Sequence, residues 1–225
     1  MKADFLPVPA ETELRRYKIM KYLCLSFDDG PNFSGDNTMN NMLDLLEKNN
    51  VPASFFLIGN KISPENIPVI KRAQKMGCDI QNHSWTHPAM AEMEDQAIKE
   101  EFQKCDDAIF EITGERPQFF RPPYISVSDK MYDDIPLAFI SGHGCRDWEP
   151  DFPVEERLKM MVEGTKDGTI FLLHVDDGND KTYKTVEKFI PMMKEQGYTF
   201  VNLPDLFKLE NVEPNGKRFC WTFLK

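Results

Sequence analysis

The stretch Y-L-C-L-S-F-D-D-G-P, residues 22–31, is the part of the sequence that decides the fold. Its first six residues form a short apolar run, and Asp28-Asp29-Gly30-Pro31 closes that run with turn-forming residues. A short apolar run that ends in a turn signal predicts a buried strand. Two adjacent aspartates therefore follow the first predicted strand.

The same succession of apolar run and turn recurs along the chain. Further strands are predicted at 53–58, 79–81, 118–120, 137–141, 170–173 and 199–201, with a possible last strand at 219–224. Apolar residues at helical spacing predict helices between them, at 39–46, 65–76, 95–112, 154–162 and 181–196. About seven apolar strands that alternate with helices predict a parallel sheet covered by helices, either a barrel or an open α/β sheet.

Nothing in the sequence marks a boundary between domains. There is no internal repeat, no low-complexity tract and no linker rich in glycine or serine. We expect an irregular lead-in at 1–20, followed by a single domain at 21–225. A turn signal at 214–216 precedes the possible last strand, and the sequence does not indicate what the tail at 211–225 does.

Composition excludes several classes of function. A net charge of -10 disfavours nucleic acid as a partner, because nucleic-acid affinity depends on Lys and Arg at phosphates. The sequence has no run approaching the ~20 apolar residues that a membrane-spanning helix needs, and its first 16 residues lack the apolar core of a signal peptide. The five cysteines form no C-x-x-C pair, which excludes a structural zinc knuckle.

Unusual polar clusters follow the predicted strands. They are Asp28-Asp29, 83–87, 121–124, 144–148 and His174. In parallel α/β folds the loops at the carboxyl ends of the strands converge on one face, so residues far apart in sequence can meet in one pocket. The sequence therefore predicts one site at that face.

The cluster H-S-W-T-H, residues 83–87, has the spacing of a metal site. His83 and His87, four residues apart, can present two imidazoles to one ion, and a carboxylate from elsewhere would complete a three-ligand site with an open position for water. Asp28-Asp29 is the natural source of that carboxylate. Adjacent residues leave a strand in different directions, so one aspartate would bind metal while the other faces substrate. The alternatives are two unrelated histidines and a simple turn.

Five stretches taken together resemble the motifs of the polysaccharide deacetylase family in both order and spacing. This family is the NodB-homology group, carbohydrate esterase family four. The stretches are S-F-D-D-G-P (26–31), H-S-W-T-H (83–87), R-P-P-Y (121–124), R-D-W (146–148) and L-L-H (172–174). The resemblance covers about residues 21–206. It implies a distorted (β/α) barrel that removes acetyl groups from acetylated xylan or from polymers of N-acetylglucosamine.

The resemblance also implies a metal centre beside a base. Asp29, His83 and His87 resemble the ligands of one divalent ion, such as zinc, cobalt or another transition metal. Asp28 resembles the general base. Arg121 is similar to the residue that orients and tunes this base.

A second set of roles follows from the same resemblance. His174 resembles the general acid and Asp147 its partner. Tyr124 resembles the residue whose main-chain N–H faces the oxyanion, while Trp148 and Leu172 resemble the walls of the acetyl pocket. Taken alone, Arg121 could be an ordinary solvated or salt-bridged arginine, and Tyr124, Trp148 and Leu172 could be core residues.

Two positions depart from the family pattern, and both concern the rim of the pocket. Gly144 and Val175 stand where the family often has aspartate. Neither is a proposed ligand, base or acid, so the departures put substrate preference in doubt rather than activity. His143 matches no motif, and we expect it at the rim rather than in the catalytic set.

Three classes of function remain open at this stage. A carbohydrate deacetylase is favoured, with O-deacetylation of xylan placed a little ahead of N-deacetylation of chitooligosaccharide or peptidoglycan. A metal-dependent amidohydrolase acting on a small cyclic amide is disfavoured because all five deacetylase motifs are present. A non-catalytic carbohydrate-binding relative is disfavoured because the base, the ligands and the acid are all intact.

The expected partner is an acetylated polysaccharide or oligosaccharide, and the sequence indicates no obligate protein partner. The resemblance implies a secreted or cell-surface protein. Since the chain carries no signal peptide, a cytoplasmic location stays open.

Overall fold

The computed structural model describes residues 20–33, 35–214 and 218–224, which form one parallel sheet covered by helices. The strands are β1 (Lys21–Gly30), β2 (Ser54–Leu57), β3 (Asp79–Asn82), β4 (Phe119–Phe120), β5 (Ala138–Ile140), β6 (His143–Gly144), β7 (Thr169–His174), β8 (Tyr198–Phe200) and β9 (Cys220–Trp221). The helices are α1 (Thr38–Asn49), α2 (Ile67–Lys75), α3 (Asp95–Thr113), α4 (Asp129–Asp134), α5 (Val154–Gly164), α6 (Asp180–Glu195) and α7 (Leu203–Leu209).

The sheet is a distorted barrel. Its strands lie in the order β6-β7-β1-β2-β3-β4-β5-β9, and β8 pairs with the first residues of β1. Every one of these strand pairs is parallel. The expectation of a distorted (β/α) barrel is therefore confirmed.

The C-terminal segment, residues 220–224, lies across the gap between β5 and β7. β9 pairs with β5, whereas Phe223 forms an antiparallel bridge with Thr169 at the start of β7. The N–H of Leu224 donates to the carbonyl of Gly168 at 3.0 Å, and the N–H of Ile170 donates to that of Thr222 at 3.2 Å. The tail therefore links two strands that have no direct pairing with each other.

All seven predicted strands occur in the structure, and β9 falls within the possible last strand. The two-residue strand β6 and the short helices α4 and α7 were not predicted. Elements of this size contain too few residues for an apolar period to stand out. The lead-in at 1–20 lies outside the described residues except for Met20, and so does the turn signal at 214–216 except for Pro214.

Helix α3 shows how the helices cover the sheet. Ile98, Phe102, Cys105 and Ile109 are buried along one face, as the spacing predicts, and the helix ends at Gly114 in the left-handed conformation. The helix begins at Asp95, the first residue of the predicted range.

The five cysteines carry free thiols, and four of them are buried. Burial raises the pKa of the Cys220 thiol, which is half-buried, to about 11. These thiols fill apolar space, as expected for Cys24 and Cys105. None of the helices in the described part of the chain is long and apolar enough to cross a membrane.

Candidate active site

The carboxyl ends of the parallel strands bring the sequence-predicted residues together. β1 carries the two aspartates, the loop after β3 carries the two histidines, and β7 ends at His174. Arg121 follows β4 directly, and Asp147 lies in the loop after β6. Parallel strands end at the same edge of the barrel, so five separate segments meet in one place.

Asp29, His83 and His87 form a cluster with the geometry of a metal site. Asp29 Oδ1 lies 3.5 Å from Nε2 of His83 and 3.7 Å from Nε2 of His87. One donor atom from each residue lies within 4.8 Å of the other two. Two imidazoles and one carboxylate match the donor set of a three-ligand divalent metal site.

The hydrogen bonds around the cluster leave its donor atoms turned inward. Nδ1 of His83 donates to the carbonyl of Arg121 at 2.7 Å, which leaves the lone pair of its Nε2 facing the aspartates. Asp29 Oδ1 is buried without a hydrogen-bond partner among the described residues. An orphaned carboxylate oxygen is costly, and a bound cation would satisfy it.

The protonation states of Asp29 and His87 also suit metal binding. Burial, together with the nearby imidazole of His83, lowers the pKa of His87 to about 4, so His87 is neutral at pH 7. Burial would raise the pKa of Asp29, but the imidazoles around it, His83 foremost, outweigh burial and hold that pKa well below its usual range. A neutral imidazole and an ionised carboxylate are the forms that bind metal.

Helix α3 holds the loop that carries His83 and His87. The carboxylate of Glu101 accepts the main-chain N–H groups of Trp85 at 3.0 Å and Thr86 at 2.8 Å. His87 has a positive φ of 60°, and its N–H donates to the Ser84 hydroxyl at 3.0 Å. Sequence reasoning missed Glu101, because a glutamate within a helix is typical of a solvated face.

Arg121 is fully buried and fixes Asp28. Its Nη1 lies 2.6 Å from Oδ1 of Asp28, and its Nη2 donates to the hydroxyl of Ser26 at 2.7 Å. The guanidinium also stacks 4.1 Å from the centre of the Phe56 ring. The alternative of an ordinary solvated arginine is therefore wrong. Ser26 also accepts a hydrogen bond from this arginine. It was not predicted as a site residue because it lies inside an apolar run.

His174, which is partly exposed, pairs with the buried carboxylate of Asp147. The carboxylate of Asp147 accepts Nδ1–H of His174 at 2.9 Å and the main-chain N–H of His174 at 2.7 Å. Burial acts to lower the pKa of His174, but the hydrogen bond and charge of Asp147 prevail and raise it to about 9. The imidazole is therefore protonated at neutral pH, as a proton donor must be.

A cleft of about 600 Å³ opens over these groups. Tyr124 and Trp148 stand at its walls and are 69% and 52% exposed, so the alternative that they are core aromatics is wrong. Leu172 is buried, but its side chain also reaches the cleft. Eight of the ten predicted site residues line this space, and Arg121 and Asp147 lie directly behind it.

His143 is not at the rim of the cleft, contrary to expectation. It lies in β6 beside Gly142 and Gly144, which do line the cleft, and its own ring faces the other way. Nε2 of His143 is 3.3 Å from the carbonyl of Met160 in α5. Alternation along a strand explains the difference, because successive side chains point to opposite faces.

A distorted parallel barrel with an Asp-His-His cluster at its carboxyl-terminal edge defines a class of α/β proteins with a divalent metal centre. Within that class, residues 16–137 match the family described as "Polysaccharide deacetylase". The chain belongs to this family.

Individual relatives extend the match over most of the chain. A bifunctional xylanase/deacetylase of Pseudobutyrivibrio xylanivorans is 40% identical, over 91% of this chain and 33% of the relative. A peptidoglycan-N-acetylglucosamine deacetylase of Listeria monocytogenes is 31% identical, over 87% of this chain and 41% of the relative. The chain thus spans between a third and about two fifths of these two proteins.

A solved structure gives the same result for the fold. A family 4 acetyl xylan esterase from Clostridium thermocellum, in complex with a cobalt ion, superposes with a TM-score of 0.85 and 33% identity. The superposition covers 90% of this chain and 98% of the esterase chain.

The geometry predicts different effects for the same substitution at two adjacent aspartates. Asp29→Asn should weaken binding of Co²⁺ or Zn²⁺ by ~10-fold or more, because it removes the charge of one of the three candidate ligands. Asp28→Asn should leave the affinity nearly unchanged, since Asp28 is held by Arg121. Isothermal titration of the metal-free protein measures both. Weaker metal binding by Asp28→Asn than by Asp29→Asn would reverse the assignment.

Proposed function

We propose that this protein is a metal-dependent carbohydrate deacetylase that hydrolyses acetyl esters on xylan. The observation that carries the proposal is the arrangement of three groups around one cleft. Asp28 lies next to the Asp29 cluster, and His174 lies beside Asp28 across paired strands. A proton acceptor, a metal site and a proton donor thus face the same space, as hydrolysis of an acyl group requires.

The metal site supports the proposal through its donor set. Asp29, His83 and His87 would hold one divalent ion, and zinc or cobalt both suit this mixture of imidazole and carboxylate. Such an ion would supply Lewis-acid polarisation of the acetyl carbonyl and of water.

Asp28 is placed to act as the general base. The bond from Arg121 occupies Oδ1 of Asp28, so its Oδ2 can accept the proton of the water that attacks the acetyl carbonyl. Arg121 fixes the direction of the carboxylate. The main-chain N–H of Tyr124 faces the negative charge that develops on the carbonyl oxygen in this scheme.

His174 then completes the reaction as the general acid. The leaving alkoxide or amine needs a proton as the bond to the acetyl carbon breaks. His174 carries that proton at neutral pH because Asp147 stabilises the imidazolium. The base and the acid are thus held by different neighbours: Arg121 orients Asp28, and Asp147 orients His174.

The relatives favour xylan over N-acetylglucosamine polymers as the substrate. The xylanase/deacetylase and the acetyl xylan esterase are 40% and 33% identical, against 31% for the Listeria peptidoglycan deacetylase.

Gly144 allows the ring of Trp148 to pack close to the strand. A side chain at this position would crowd the ring, because its Cβ would lie only 3.1 Å away. Trp148 and Leu172 then form the walls around the acetyl group.

N-deacetylation of N-acetylglucosamine polymers is the second candidate, supported by the peptidoglycan deacetylase match. The same base, acid and metal site would serve an amide, with an amine instead of an alkoxide as the leaving group. Both substrates are polysaccharides located outside cells, so we propose that the protein acts as a secreted or cell-surface enzyme.

Acetate release from acetylated xylan, chitooligosaccharides and peptidoglycan, assayed in parallel, tests the proposal. We expect release from xylan to be the fastest, to be abolished by a chelator and to return with Zn²⁺ or Co²⁺. The Asp28→Asn variant is the control for background hydrolysis, with an expected loss of ~10²- to 10⁴-fold. Faster release from a glucosamine polymer would favour the second candidate, and no release from any polymer would refute both.

The role of His174 predicts a dependence on the leaving group. His174→Ala should slow acetate release from a sugar substrate by ~10²-fold or more, because an alkoxide leaves poorly without a proton. Hydrolysis of 4-nitrophenyl acetate should be spared, since nitrophenolate leaves unaided. The loss in kcat/KM caused by His174→Ala, measured on each of the two substrates, tests this dependence. Equal losses would show that His174 acts structurally, and another residue would have to supply the proton.

Asp147 predicts a change in the pH profile. The proposed acid must be protonated, so activity falls as pH rises through the pKa of His174, which Asp147 raises to about 9. Asp147→Asn removes the charge that favours the imidazolium, so the alkaline limb should move to lower pH. Asp176→Asn is the matched control. Asp176 affects His174 through charge, with no hydrogen bond to it among the described contacts, and should shift the limb less. An unmoved limb in Asp147→Asn would contradict the assignment.

A further inference from the structure

Arg157 in helix α5 is a fully buried arginine outside the cleft. Described residues accept four hydrogen bonds from its guanidinium. The acceptors are the carbonyls of Glu149 (2.7 Å) and Phe152 (3.0 Å) and the side-chain oxygens of Asn179 and Thr182 (both 3.3 Å). All four are uncharged oxygens. Burying a guanidinium is costly, and an apolar residue would fill the same space at lower cost, so these bonds indicate a specific role.

Two of those acceptors lead directly to Asp147. The Thr182 hydroxyl donates to Oδ2 of Asp147 at 2.9 Å, and the side-chain amide of Asn179 donates to the Asp147 carbonyl at 3.3 Å. Glu149 lies two residues further along the same loop. The guanidinium therefore fixes the loop that carries Asp147 and, through Thr182, the carboxylate itself.

We propose that Arg157 is a positioning residue for the proton donor: through Thr182 and Asn179 it fixes Asp147, and Asp147 in turn orients the imidazole of His174. The catalytic purpose of this network rests on the function proposed above. The network consists of Arg157, Thr182, Asn179 and Asp147.

The indirect connection has a physical reason. A guanidinium bonded directly to Asp147 would compete with His174 for the carboxylate and would offset the charge that favours the imidazolium. With Thr182 in between, Oδ2 is held by a neutral hydroxyl and Oδ1 stays available to Nδ1 of His174. Arg121, by contrast, bonds directly to Asp28, a group that has to accept a proton rather than stabilise one.

Thr182 offers the cleanest test, because valine has nearly the shape of threonine. Thr182→Val removes the hydroxyl between Arg157 and Asp147, whereas Thr182→Ser keeps it. Thr185→Val is the matched control on the same helix. Thr185 is also fully buried, but its hydroxyl donates to the carbonyl of Lys181 at 2.8 Å within the helix. A general effect of replacing a buried threonine would appear in both valine variants.

The first measurement needs no substrate. The proton on Nδ1 of His174, shared with Asp147, should give a far-downfield, slowly exchanging line in the proton NMR spectrum of the Zn²⁺-loaded protein. His174→Ala identifies this line by removing it. We expect the line to persist in Thr182→Ser and Thr185→Val and to broaden or disappear in Thr182→Val. Arg157→Lys should have the same effect as Thr182→Val, since it keeps the charge but loses the forked geometry.

The second measurement is the ratio of kcat/KM on an acetylated sugar to kcat/KM on 4-nitrophenyl acetate. Thr182→Val should lower this ratio by ~10-fold, the size expected for one hydrogen bond to a charged group. Thr182→Ser and Thr185→Val should leave it unchanged. A simple loss of folded protein would lower both activities equally and leave the ratio intact.

A folded Thr182→Val protein that keeps both the downfield line and the ratio would overturn the proposal, whatever happens in the Arg157 variants. If Arg157→Lys fails to fold, Thr182→Val alone decides. If the wild-type protein releases no acetate from any sugar, the proposed function fails, whereas the NMR line still decides whether the network positions His174.

Discussion

The buried ion pair between Arg121 and Asp28 is the interaction on which the site depends. Arg121 follows β4, its guanidinium reaches two residues of β1 and the carbonyl of Ile140 in β5, and its own carbonyl holds His83 after β3. One side chain and its main chain thus set the relative positions of four strands at the edge where the cleft opens. A buried carboxylate needs such a partner, because burial of an unpaired charge is strongly unfavourable.

Much of the architecture could be predicted from the sequence, because its signals are local. Most strands of three or more residues contain an apolar run, with β3 (D-I-Q-N) as the exception, and the polar clusters follow the strands. The rule that parallel strands end at one edge then predicts that the clusters meet, and the structure brings them together. The catalytic and metal-binding roles of these residues remain predictions.

The supporting residues could not be found in the same way. Glu101 and Arg157 lie in helices among other charged residues, where the usual interpretation is a solvated face. The burial of Arg157 and the hydrogen bonds of both side chains depend on how other segments of the chain pack around them, so no local pattern reveals them. His143 shows the converse limit. Its neighbours line the cleft, but a two-residue strand is too short for the direction of its side chains to be predicted.

The C-terminal segment has a consequence for how the chain acquires its structure. The pairs β1–β2, β2–β3, β3–β4 and β4–β5 each join strands that are consecutive in sequence. Residues 220–224, by contrast, join β5 to the start of β7 and come after every other described strand. During synthesis on the ribosome, the sheet can therefore be completed only after this last strand has emerged. Contacts between distant parts of a chain form slowly, because the intervening chain must be ordered before they are made. Until then the edges of β5 and β7 expose unpaired main-chain groups to other chains, and newly made protein is most prone to aggregate during that interval.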